Sequence, residues 1–428
     1  MTRVALLNPD WRYEGSIYFG CRSPHLPLEL GISQQMLESA GHKTLLLDAH
    51  MFGLSTADIV AELASFKPDM IVLTTAPTYL FWRCAPPELR IPQQLAFAVR
   101  DAAPLVVAVG PHGSTTPRAA LRKLQVDCVV MGECESTLLR LANGEKQIAG
   151  TCCRNGPDIC VYGGPQAATF VDQPALQWPD ETVRRHTHHH HRFEAAAVGP
   201  GAEIEASRGC PYNCTFCAKD NFRNGYRKRP VAPILQEIDE LRRQGVEYFY
   251  FIDEIFLPNR ELLEGLVSRD LLFGVQTRID LWKPEMLELL GRAGCVSIEA
   301  GVESLTPEGR ESLAKKCRMT TDELAERLLT ARRHVPFVQA NLIEVTEDDA
   351  VAVQRWRDKM RDAGVWANDP VPLYPYPGSP DYRKLWGEPD DHAWERAHDH
   401  YLGLFERFSD VQEQRPVPLR ELEFEVRP

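Results

Sequence analysis

Short apolar runs alternate with amphipathic segments in two separate series along this chain, and that alternation constrains its fold more than any other feature. Apolar runs that alternate with helix-patterned segments predict parallel βαβ units. The first series, within residues 1–143, predicts five strands and therefore an α/β domain with an open, doubly wound parallel sheet of the Rossmann or flavodoxin type. The second, within residues 200–380, predicts a partial (β/α)6 TIM-like barrel, because its six repeats are too few for a closed eight-stranded barrel.

The segment between the two series has a different composition, rich in glycine, proline and polar residues. We therefore expect residues 144–199 to form a linker with little regular structure. A histidine tract runs from His186 to His191 in this linker; we expect a solvated loop there, with metal binding as the alternative. Residues 381–428 form a C-terminal tail with a mostly helical pattern, and the sequence assigns no role to it.

The composition limits the partners and the compartment. A formal net charge of −12 disfavours nucleic acids and anionic membranes as partners, since these usually bind basic surfaces. No apolar run reaches the roughly 18 residues that a membrane span needs, and the first apolar run is too short for a signal peptide. We therefore expect a cytoplasmic protein that acts on a small molecule. There its 12 cysteines should be mostly reduced, and clustered cysteines are better interpreted as metal ligands than as disulfides.

Three cysteines are spaced C-x3-C-x2-C, at Cys210, Cys214 and Cys217, on a loop that directly follows a predicted strand. Thiolates are the usual ligands of iron–sulfur clusters, and three of them leave one iron of a [4Fe–4S] cluster open to a non-protein ligand. The alternative is zinc, which would need a fourth ligand and commonly shows paired C-x2-C motifs. The single triplet therefore predicts a [4Fe–4S] cluster.

The residues around the triplet are also distinctive: Ser207-Arg208-Gly209 precedes it, and Phe216 stands between its last two cysteines. In this arrangement the chain resembles the radical S-adenosylmethionine (SAM) superfamily. The resemblance implies that the open iron binds the amino and carboxylate groups of SAM. One electron would then cleave SAM, and the resulting 5′-deoxyadenosyl radical would take a hydrogen atom from the substrate. It also implies an electron donor such as flavodoxin or ferredoxin, and a place for Phe216 beside the cofactors.

Later strand ends resemble the same superfamily residue by residue. Asp253 and Glu254 match an acidic pair that can hold the SAM ammonium group, and Arg278 matches a strand-end arginine suited to its carboxylate. Glu303 and Ser304 belong to a G-V-E-S element, which implies that both lie near SAM. Taken alone, Arg278 also fits a surface salt bridge and Glu303 a helix cap. The fifth strand departs from the family's pattern, so no adenine contact is assigned to it.

The first series resembles the cobalamin-binding domain that precedes many radical SAM domains. Four segments carry the likeness: 24–31, 109–115, 131–135 and a late Pro–Gly turn at 374–380. The resemblance implies that the end of the third strand and the next two strand-end loops contact cobalamin, through Thr75, Gly110, Pro111, His112, Gly132 and Glu133. Glycine in such loops lets the backbone approach a ligand closely. The alternative is a flavodoxin-like domain that binds another ligand or none.

One motif invites a different interpretation. Residues 48–53 spell D-x-H-x-x-G, the pattern whose histidine ligates cobalt in some cobalamin proteins. There the motif follows the first strand, whereas here it follows the second. We therefore predict that His50 is not the cobalt ligand.

The two resemblances together are those of cobalamin-binding, class B radical SAM methyltransferases, which implies methylation of an unactivated carbon in a small molecule. Two alternatives stay open: a cobalamin-dependent radical SAM enzyme that rearranges or cyclises its substrate without methylation, and a non-catalytic cobalamin or iron–sulfur sensor. A basic cluster follows the cysteine motif and suits either a phosphate or carboxylate of the substrate or a solvated face; it consists of Arg223, Arg227, Lys228 and Arg229.

Overall fold

The computed structural model describes residues 1–12, 24–78, 85–167, 173, 175–186, 199–223, 225–404 and 417–424. The chain folds into two compact units. The first unit combines residues 1–178, 217–224 and 374–428, and the second combines residues 179–216 and 225–373. None of the helices in the described ranges is long and apolar enough to cross a membrane.

The first unit is built on a seven-stranded sheet of order β2-β1-β3-β4-β5-β6-β7. Its strands are β1 (Arg3–Asn8), β2 (Lys43–Asp48), β3 (Met70–Thr74), β4 (Leu105–Val109), β5 (Cys128–Val130), β6 (Thr151–Asn155) and β7 (Asp158–Tyr162). Strands β1 to β5 are parallel, which confirms the predicted doubly wound sheet. The side chains of β3 are buried along its whole length, because a parallel sheet of this type is covered on both faces.

The strands β6 and β7 form an antiparallel hairpin that extends this sheet at β5. They lie in the segment for which little regular structure was expected. Gly156 turns the chain between them with a left-handed φ of 60°, a conformation that glycine adopts at no steric cost. Cys128 and Cys153 lie directly opposite each other on β5 and β6 and form a disulfide, so the expectation of reduced cysteines is wrong for this pair.

The second unit contains a parallel six-stranded sheet of order β15-β14-β13-β12-β11-β8, with β8 and β15 at its two edges. Its strands are β8 (Gly201–Ile204), β11 (Tyr248–Phe251), β12 (Leu272–Thr277), β13 (Cys295–Glu303), β14 (Phe337–Leu342) and β15 (Trp366–Ala367). A separate antiparallel pair joins β9 (Ser207–Arg208) to β10 (Arg227–Lys228). Six parallel strands joined by helices confirm the predicted partial barrel topology.

The α-helices alternate with the strands in both units. They are α1 (Leu28–Ser39), α2 (Ala49–Phe52), α3 (Thr56–Phe66), α4 (Arg90–Val99), α5 (Pro111–Thr115), α6 (Pro117–Leu124), α7 (Glu135–Ala142), α8 (Asp180–Arg185), α9 (Val231–Arg243), α10 (Arg260–Val267), α11 (Pro284–Arg292), α12 (Pro307–Ser312), α13 (Thr321–His334), α14 (Ala350–Asp362), α15 (Pro380–Trp386), α16 (Ala393–Leu402) and α17 (Leu419–Leu422). Capping boxes at Ser55 and Thr320 satisfy the first free amides of α3 and α13.

The C-terminal helices belong to the first unit. Lys123 in α6 donates to Glu395 in α16 at 2.5 Å and to Glu423, just after α17, at 2.6 Å. Tyr374, Tyr382, Ala393, Ala397 and Tyr401 form a small buried cluster between the late turn and α16. The helical pattern predicted for the tail is present, and the tail completes the unit that holds the N-terminal sheet.

The histidine tract begins at a buried residue. His186 lies against β8, where its Nδ1 is 2.6 Å from the Gly201 carbonyl and its Nε2 is 3.1 Å from a carboxylate oxygen of Glu203. The expected solvated loop is therefore wrong for His186. Residues 187–191 lie outside the described residues.

Candidate cofactor sites

The three motif cysteines lie on the loop that follows β8 and β9. Cys210, Cys214 and Cys217 are partly exposed, and none of them takes part in a disulfide. Among the residues that the structure describes, no three His, Cys, Asp or Glu side chains are grouped around a single point that could hold one metal ion. In a [4Fe–4S] cluster each cysteine thiolate binds a different iron, whereas the ligands of a zinc site converge on one ion.

Two carboxylates that follow β11 hold the backbone of this loop. Buried Asp253 accepts hydrogen bonds from the Ala206 amide, at 2.8 Å, and from the Ser207 hydroxyl. Glu254 accepts one from the Gly209 amide at 2.7 Å. Burial raises the pKa of Asp253 to about 7, although the two hydrogen bonds oppose the shift. The acidic pair that was predicted to bind the SAM ammonium group is thus engaged with the segment that leads into the cysteine motif.

Arg278 follows β12 and contacts the cysteine loop. Its Nε and Nη2 atoms donate to the two carboxylate oxygens of Asp280, at 3.1 and 2.8 Å. Its guanidinium lies over the ring of Tyr212, 4.1 Å from the ring centroid. The third nitrogen, Nη1, is buried and has no hydrogen-bond partner among the described residues. Because a buried guanidinium N–H without a partner is costly, this atom suits an anionic ligand such as a carboxylate.

Glu303 and Ser304 stand at the end of β13, where they have different surroundings. The register shifts between Gly301 and Glu303, and Glu303 takes a left-handed φ of 68°. Its Oε1 accepts a hydrogen bond from Lys315 Nζ at 2.7 Å. Ser304 instead donates to a carboxylate oxygen of Asp348 at 2.9 Å and is fully buried. Glu303 therefore forms a buried ion pair, and Ser304 stabilises the turn that follows it.

Several of these charges act on one thiol. Burial raises the pKa of Cys214; Lys315 opposes that shift, Glu303 adds to it and Arg278 opposes it. Cys214 and these three side chains thus lie together in the second unit, and Phe216 is a partly exposed residue of the same loop. Sequence reasoning found Arg278 and Glu303 but missed Lys315, which has no motif around it.

The basic cluster after the motif does not form one surface. Arg229 is buried and its Nη2 donates to Glu237 at 2.6 Å. Arg223 is buried within the first unit, whereas Arg227 and Lys228 form β10 in the second. Neither a single solvated face nor a single anion pocket describes all four residues.

The predicted cobalamin residues of the first unit converge at the ends of β3, β4 and β5. Gly110 has a φ of 139°, and a Cβ there would lie 2.2 Å from Thr75 Oγ1. Ser114 Oγ donates to the Gly110 carbonyl at 2.9 Å and accepts from the Gly132 amide at 2.9 Å, so it ties two strand ends together. Thr75 Oγ1 is buried and has no hydrogen-bond partner among the described residues. Gly110 lets the Thr75 side chain lie against the backbone after β4, and the unsatisfied buried Thr75 hydroxyl fits a polar group of a ligand.

The loop after β5 is covered by a later segment. A Cβ on Gly132 would lie 2.3 Å from the Gln166 carbonyl oxygen, so only glycine fits at this position. Glu133 is buried, and its amide donates to that same carbonyl at 2.8 Å. The hairpin end therefore fixes the backbone on which Gly132 and Glu133 stand.

Pro111 and His112 open the short helix α5. The His112 ring is buried and packs against Trp394 of α16, with 4.5 Å between the ring centroids. Trp394 Nε1 donates to Thr116 Oγ1 at 3.2 Å. Burial, helped by the charge of Lys123, lowers the pKa of His112 to about 3, so the imidazole is neutral. The C-terminal helix therefore supports this loop from within the first unit, a role that the sequence did not reveal.

His50 lies in α2, directly after the edge strand β2. Burial lowers its pKa to about 4, so the ring is neutral. The motif thus follows the second strand, as the sequence indicated, and the absence of a cobalt bond to His50 stays a prediction.

Comparison with known proteins finds one family model for the cysteine-motif region and another for the N-terminal sheet. The family model described as the Radical SAM superfamily matches residues 204–356, and the model described as the B12 binding domain matches residues 22–142. An anaerobic magnesium-protoporphyrin IX monomethyl ester cyclase from Rubrivivax gelatinosus is 25% identical over 388 residues, which cover 85% of this chain and 67% of the relative. The chain spans about two thirds of the length of the curated relatives it matches.

Two solved structures share the fold. The radical SAM methyltransferase TsrM from Kitasatospora setae, with cobalamin and a [4Fe–4S] cluster bound, matches with a TM-score of 0.70 at 18% identity, covering 89% of this chain and 74% of that one. The cobalamin-dependent SAM radical enzyme OxsB, with aqua-cobalamin and SAM bound, matches with a TM-score of 0.67 at 16% identity, covering 95% of this chain and 67% of that one.

The matched segments contain the cysteine motif and the strand-end loops described above. The fold and the sites thus define a radical SAM protein with a B12-binding domain. The chain contains a radical SAM domain and a B12-binding domain, which agrees with a [4Fe–4S] cluster, SAM and cobalamin as its cofactors. The predictions of family, fold and cofactors are confirmed.

Proposed function

We propose that this protein transfers a methyl group to an unactivated carbon of a small-molecule substrate. The observation that carries the proposal is the presence, in one chain, of a three-cysteine loop beside Arg278, whose buried Nη1 has no partner among the described residues, and of strand-end loops where the buried Thr75 hydroxyl has none either. When bound, the cluster supplies the electron that cleaves SAM reductively, and cobalamin supplies the methyl group. The relative TsrM is a methyltransferase that holds the same two metal cofactors.

Cys210, Cys214 and Cys217 hold the cluster. Arg278 binds the SAM carboxylate through its buried Nη1, while Asp280 and the Tyr212 ring fix the guanidinium plane. An arginine held on two sides loses little conformational freedom when it binds. This is a more specific role for Arg278 than a surface salt bridge, because its ion pair with Asp280 is largely buried.

Glu303 is the carboxylate that we assign to the ammonium group or a hydroxyl of SAM. Its side chain is 13% exposed, so it is reachable from the site. Asp253 is assigned a different role from that implied by its motif, since both of its oxygens accept hydrogen bonds from the start of the cysteine loop. Asp253 and Glu254 hold the loop that carries the cysteines, and Phe216 shields it.

In the first unit, we assign cobalamin binding to the backbone at Gly110, Pro111, Gly132 and Glu133, and to the Thr75 hydroxyl. Each of the two glycines has no room for a Cβ, and Thr75 has a free hydroxyl for the ligand. His112 acts through packing, because its neutral ring is buried against Trp394. His50 stays unassigned to cobalt. The chain further needs a one-electron donor such as flavodoxin or ferredoxin, since every reductive cleavage of SAM uses one electron.

The proposal can be tested without knowing the substrate. The protein is purified without oxygen and reconstituted with iron, sulfide and hydroxocobalamin, then reduced and mixed with methyl-labelled SAM. We expect about four irons and one cobalt per chain, and transfer of the label to the bound cobalamin with release of one S-adenosylhomocysteine. A Cys210, Cys214 and Cys217 triple alanine variant should lose the iron and retain the cobalt. Iron and cobalt with no transfer of the label would contradict methyl transfer.

A second function has support from one observation, the likeness to the magnesium-protoporphyrin IX monomethyl ester cyclase. In that case the protein would cyclise or rearrange its substrate without methylation. With substrate present, methylation gives S-adenosylhomocysteine and 5′-deoxyadenosine over many turnovers, whereas cyclisation gives no continuing production of S-adenosylhomocysteine. A sensor would cleave no SAM at all.

A further inference from the structure

Lys315 is a buried lysine that no sequence motif marks. Only 2% of its side chain is exposed, and its Nζ donates to Glu303 Oε1 at 2.7 Å. An ammonium group is costly to bury unless a carboxylate pairs with it, so Glu303 is what allows Lys315 to lie inside. Gly301 makes room for the pair, because a Cβ there would lie 2.4 Å from Glu303 Oε1 and 3.4 Å from Lys315 Nζ.

The backbone on both sides of the pair is strained. Glu303, Ala314 and Lys316 have left-handed φ angles of 68°, 51° and 53°, which residues with a Cβ rarely adopt. Such conformations persist only where the surroundings impose them, and they cluster at functional sites. Here the Lys315 amide is bonded to the Arg310 carbonyl at 2.9 Å. The buried Arg310 guanidinium in turn donates to three carbonyls, those of Ser304, Leu305 and Met319.

The same loop contacts the cysteine motif. The Leu313 carbonyl, two residues before Lys315, accepts a hydrogen bond from the Thr215 amide at 3.1 Å. Thr215 directly follows Cys214. The buried ion pair of Lys315 and Glu303 therefore lies beside the segment that is hydrogen-bonded to the cysteine loop.

We propose that Lys315 is a positioning residue of the cluster and SAM site: it fixes the Glu303 carboxylate at the end of β13 and places an ammonium group beside the cysteine loop. This inference rests on the proposed function only in that Cys214 binds the cluster and Glu303 faces SAM. A nearby positive charge stabilises the more negative, reduced form of a cluster, since local charge is one of the factors that set its reduction potential. Lys315 thus makes the cluster easier to reduce.

The test compares the wild-type holoenzyme with Lys315→Met, Glu303→Gln and Lys316→Met, all reconstituted without oxygen. The midpoint potential of the cluster is measured by EPR during a redox titration, and SAM binding is measured by the change that added SAM causes in the same signal. We expect a more negative potential in Lys315→Met and a more positive one in Glu303→Gln, because the two variants remove opposite charges. The SAM concentration for half the spectral change should rise about tenfold in Lys315→Met, since Glu303 is no longer held by a charged partner.

The controls separate charge from folding. Lys316 is exposed on the same loop, so Lys316→Met should leave the potential and the SAM response unchanged. Lys315→Arg keeps the charge and should bring both values back towards the wild type. If Lys315→Met takes up little iron, the double variant Glu303→Gln/Lys315→Met removes the unpaired carboxylate, and its iron content should recover with a potential near the wild-type value, because both charges are removed.

Three outcomes would overturn the proposal. One is an unchanged potential and SAM response in iron-loaded Lys315→Met, and another is a shift of the same sign in Lys315→Met and Glu303→Gln. The third is a double variant that also takes up no iron, which would give Lys315 a purely structural role. Failure of methyl transfer changes neither the potential nor the SAM response, so it can be told apart from failure of this proposal.

Discussion

The two cofactor sites are built in different ways. In the second unit, paired charges line the site: Arg278 with Asp280, and Lys315 with Glu303. In the first unit, Gly110 and Gly132 lie directly against Thr75 and the Gln166 backbone, and the Thr75 hydroxyl is buried with no partner among the described residues. Under the proposed function, the paired charges would recognise the charged amino and carboxylate groups of SAM, and the backbone of the strand-end loops would face cobalamin.

Buried titratable groups also differ, in part, between the two units, in whether they are held uncharged or paired with an opposite charge. In the first unit, burial raises the pKa of Glu29 to about 8 and lowers that of His112 to about 3, so both shifts favour an uncharged side chain. In the second unit, Lys315 and Arg278 are each paired with a carboxylate. Asp253 is the exception among these examples, since its pKa is also raised, to about 7.

The largest effect expected from this comparison is in the first unit. Gly110→Ala places a Cβ 2.2 Å from Thr75 Oγ1, at a residue whose φ is 139°. The loops that follow β3 and β4 must therefore shift. We expect loss of most bound cobalt with an unchanged iron content, measured by metal analysis after reconstitution. Gly144 gives the matched control, because its φ is also positive, at 82°, but no atom lies within 4 Å of its added Cβ. Equal cobalt loss in Gly144→Ala would show that backbone strain, not shape, decides.

The second effect concerns Glu29, whose Oε2 accepts a hydrogen bond from Thr78 at 3.3 Å. Because its folded-state pKa, about 8, lies above the ordinary value of 4.5, its contribution to stability is complete below that value and is lost as the pH rises through 8. Relative to Glu29→Gln, the wild type should therefore lose about 1.4 kcal/mol of unfolding free energy per pH unit between roughly pH 5 and 8. Urea unfolding of the apo-protein at several pH values measures the difference. Parallel pH profiles would show that Glu29 titrates as an exposed acid.

Glu38→Gln supplies the control for that experiment. Glu38 lies on the same helix, α1, and its side chain is exposed. Its replacement removes the same charge from α1 without changing a buried position, so the shape of the stability profile should stay as in the wild type.

The smallest of the three effects is in the second unit. Arg278→Lys keeps a positive charge but loses the planar fork that bonds Asp280 and stacks on Tyr212. We expect SAM to bind about tenfold more weakly, or about 1.4 kcal/mol, at unchanged iron and cobalt content. Tyr212→Phe keeps the ring under the guanidinium and should bind SAM as the wild type does. SAM affinity that is the same in Arg278→Lys would mean that charge alone, without geometry, recognises the carboxylate.

Much of the fold could be predicted because its periodic signals are local. Residues 4–7 of β1 and 70–73 of β3 are all apolar, and α3 between the two strands buries one face through Ile59 and Leu63. The hairpin β6–β7 was missed because its strands are short and carry Arg154, Asn155 and Asp158, residues that resemble a loop in sequence. What makes these residues a hairpin is pairing with β5, which is a tertiary contact.

The candidate sites divide in the same way. The cysteine triplet and Arg278 stand at fixed places relative to predicted strands, so the sequence indicated them. Lys315 has an ordinary sequence environment, and its burial depends on the space at Gly301 and on the left-handed turn at Glu303. Asp253 matched its motif. In the structure its carboxylate accepts hydrogen bonds from the Ala206 amide and the Ser207 hydroxyl, and the motif does not predict these partners. A residue's type and order can be read from the sequence, but its partners depend on the folded structure.

The bonds of Lys123 to Glu395 and Glu423 bear on how the chain is made. The first unit uses residues from both ends of the sequence, whereas most of the second unit lies between them. During synthesis the ribosome releases residues from the N-terminus onwards, at about 5–20 per second. The partners of Lys123 therefore emerge only after the second unit's strands have left the ribosome. The sheet that begins the chain is thus among the last parts of the protein to reach its finished form.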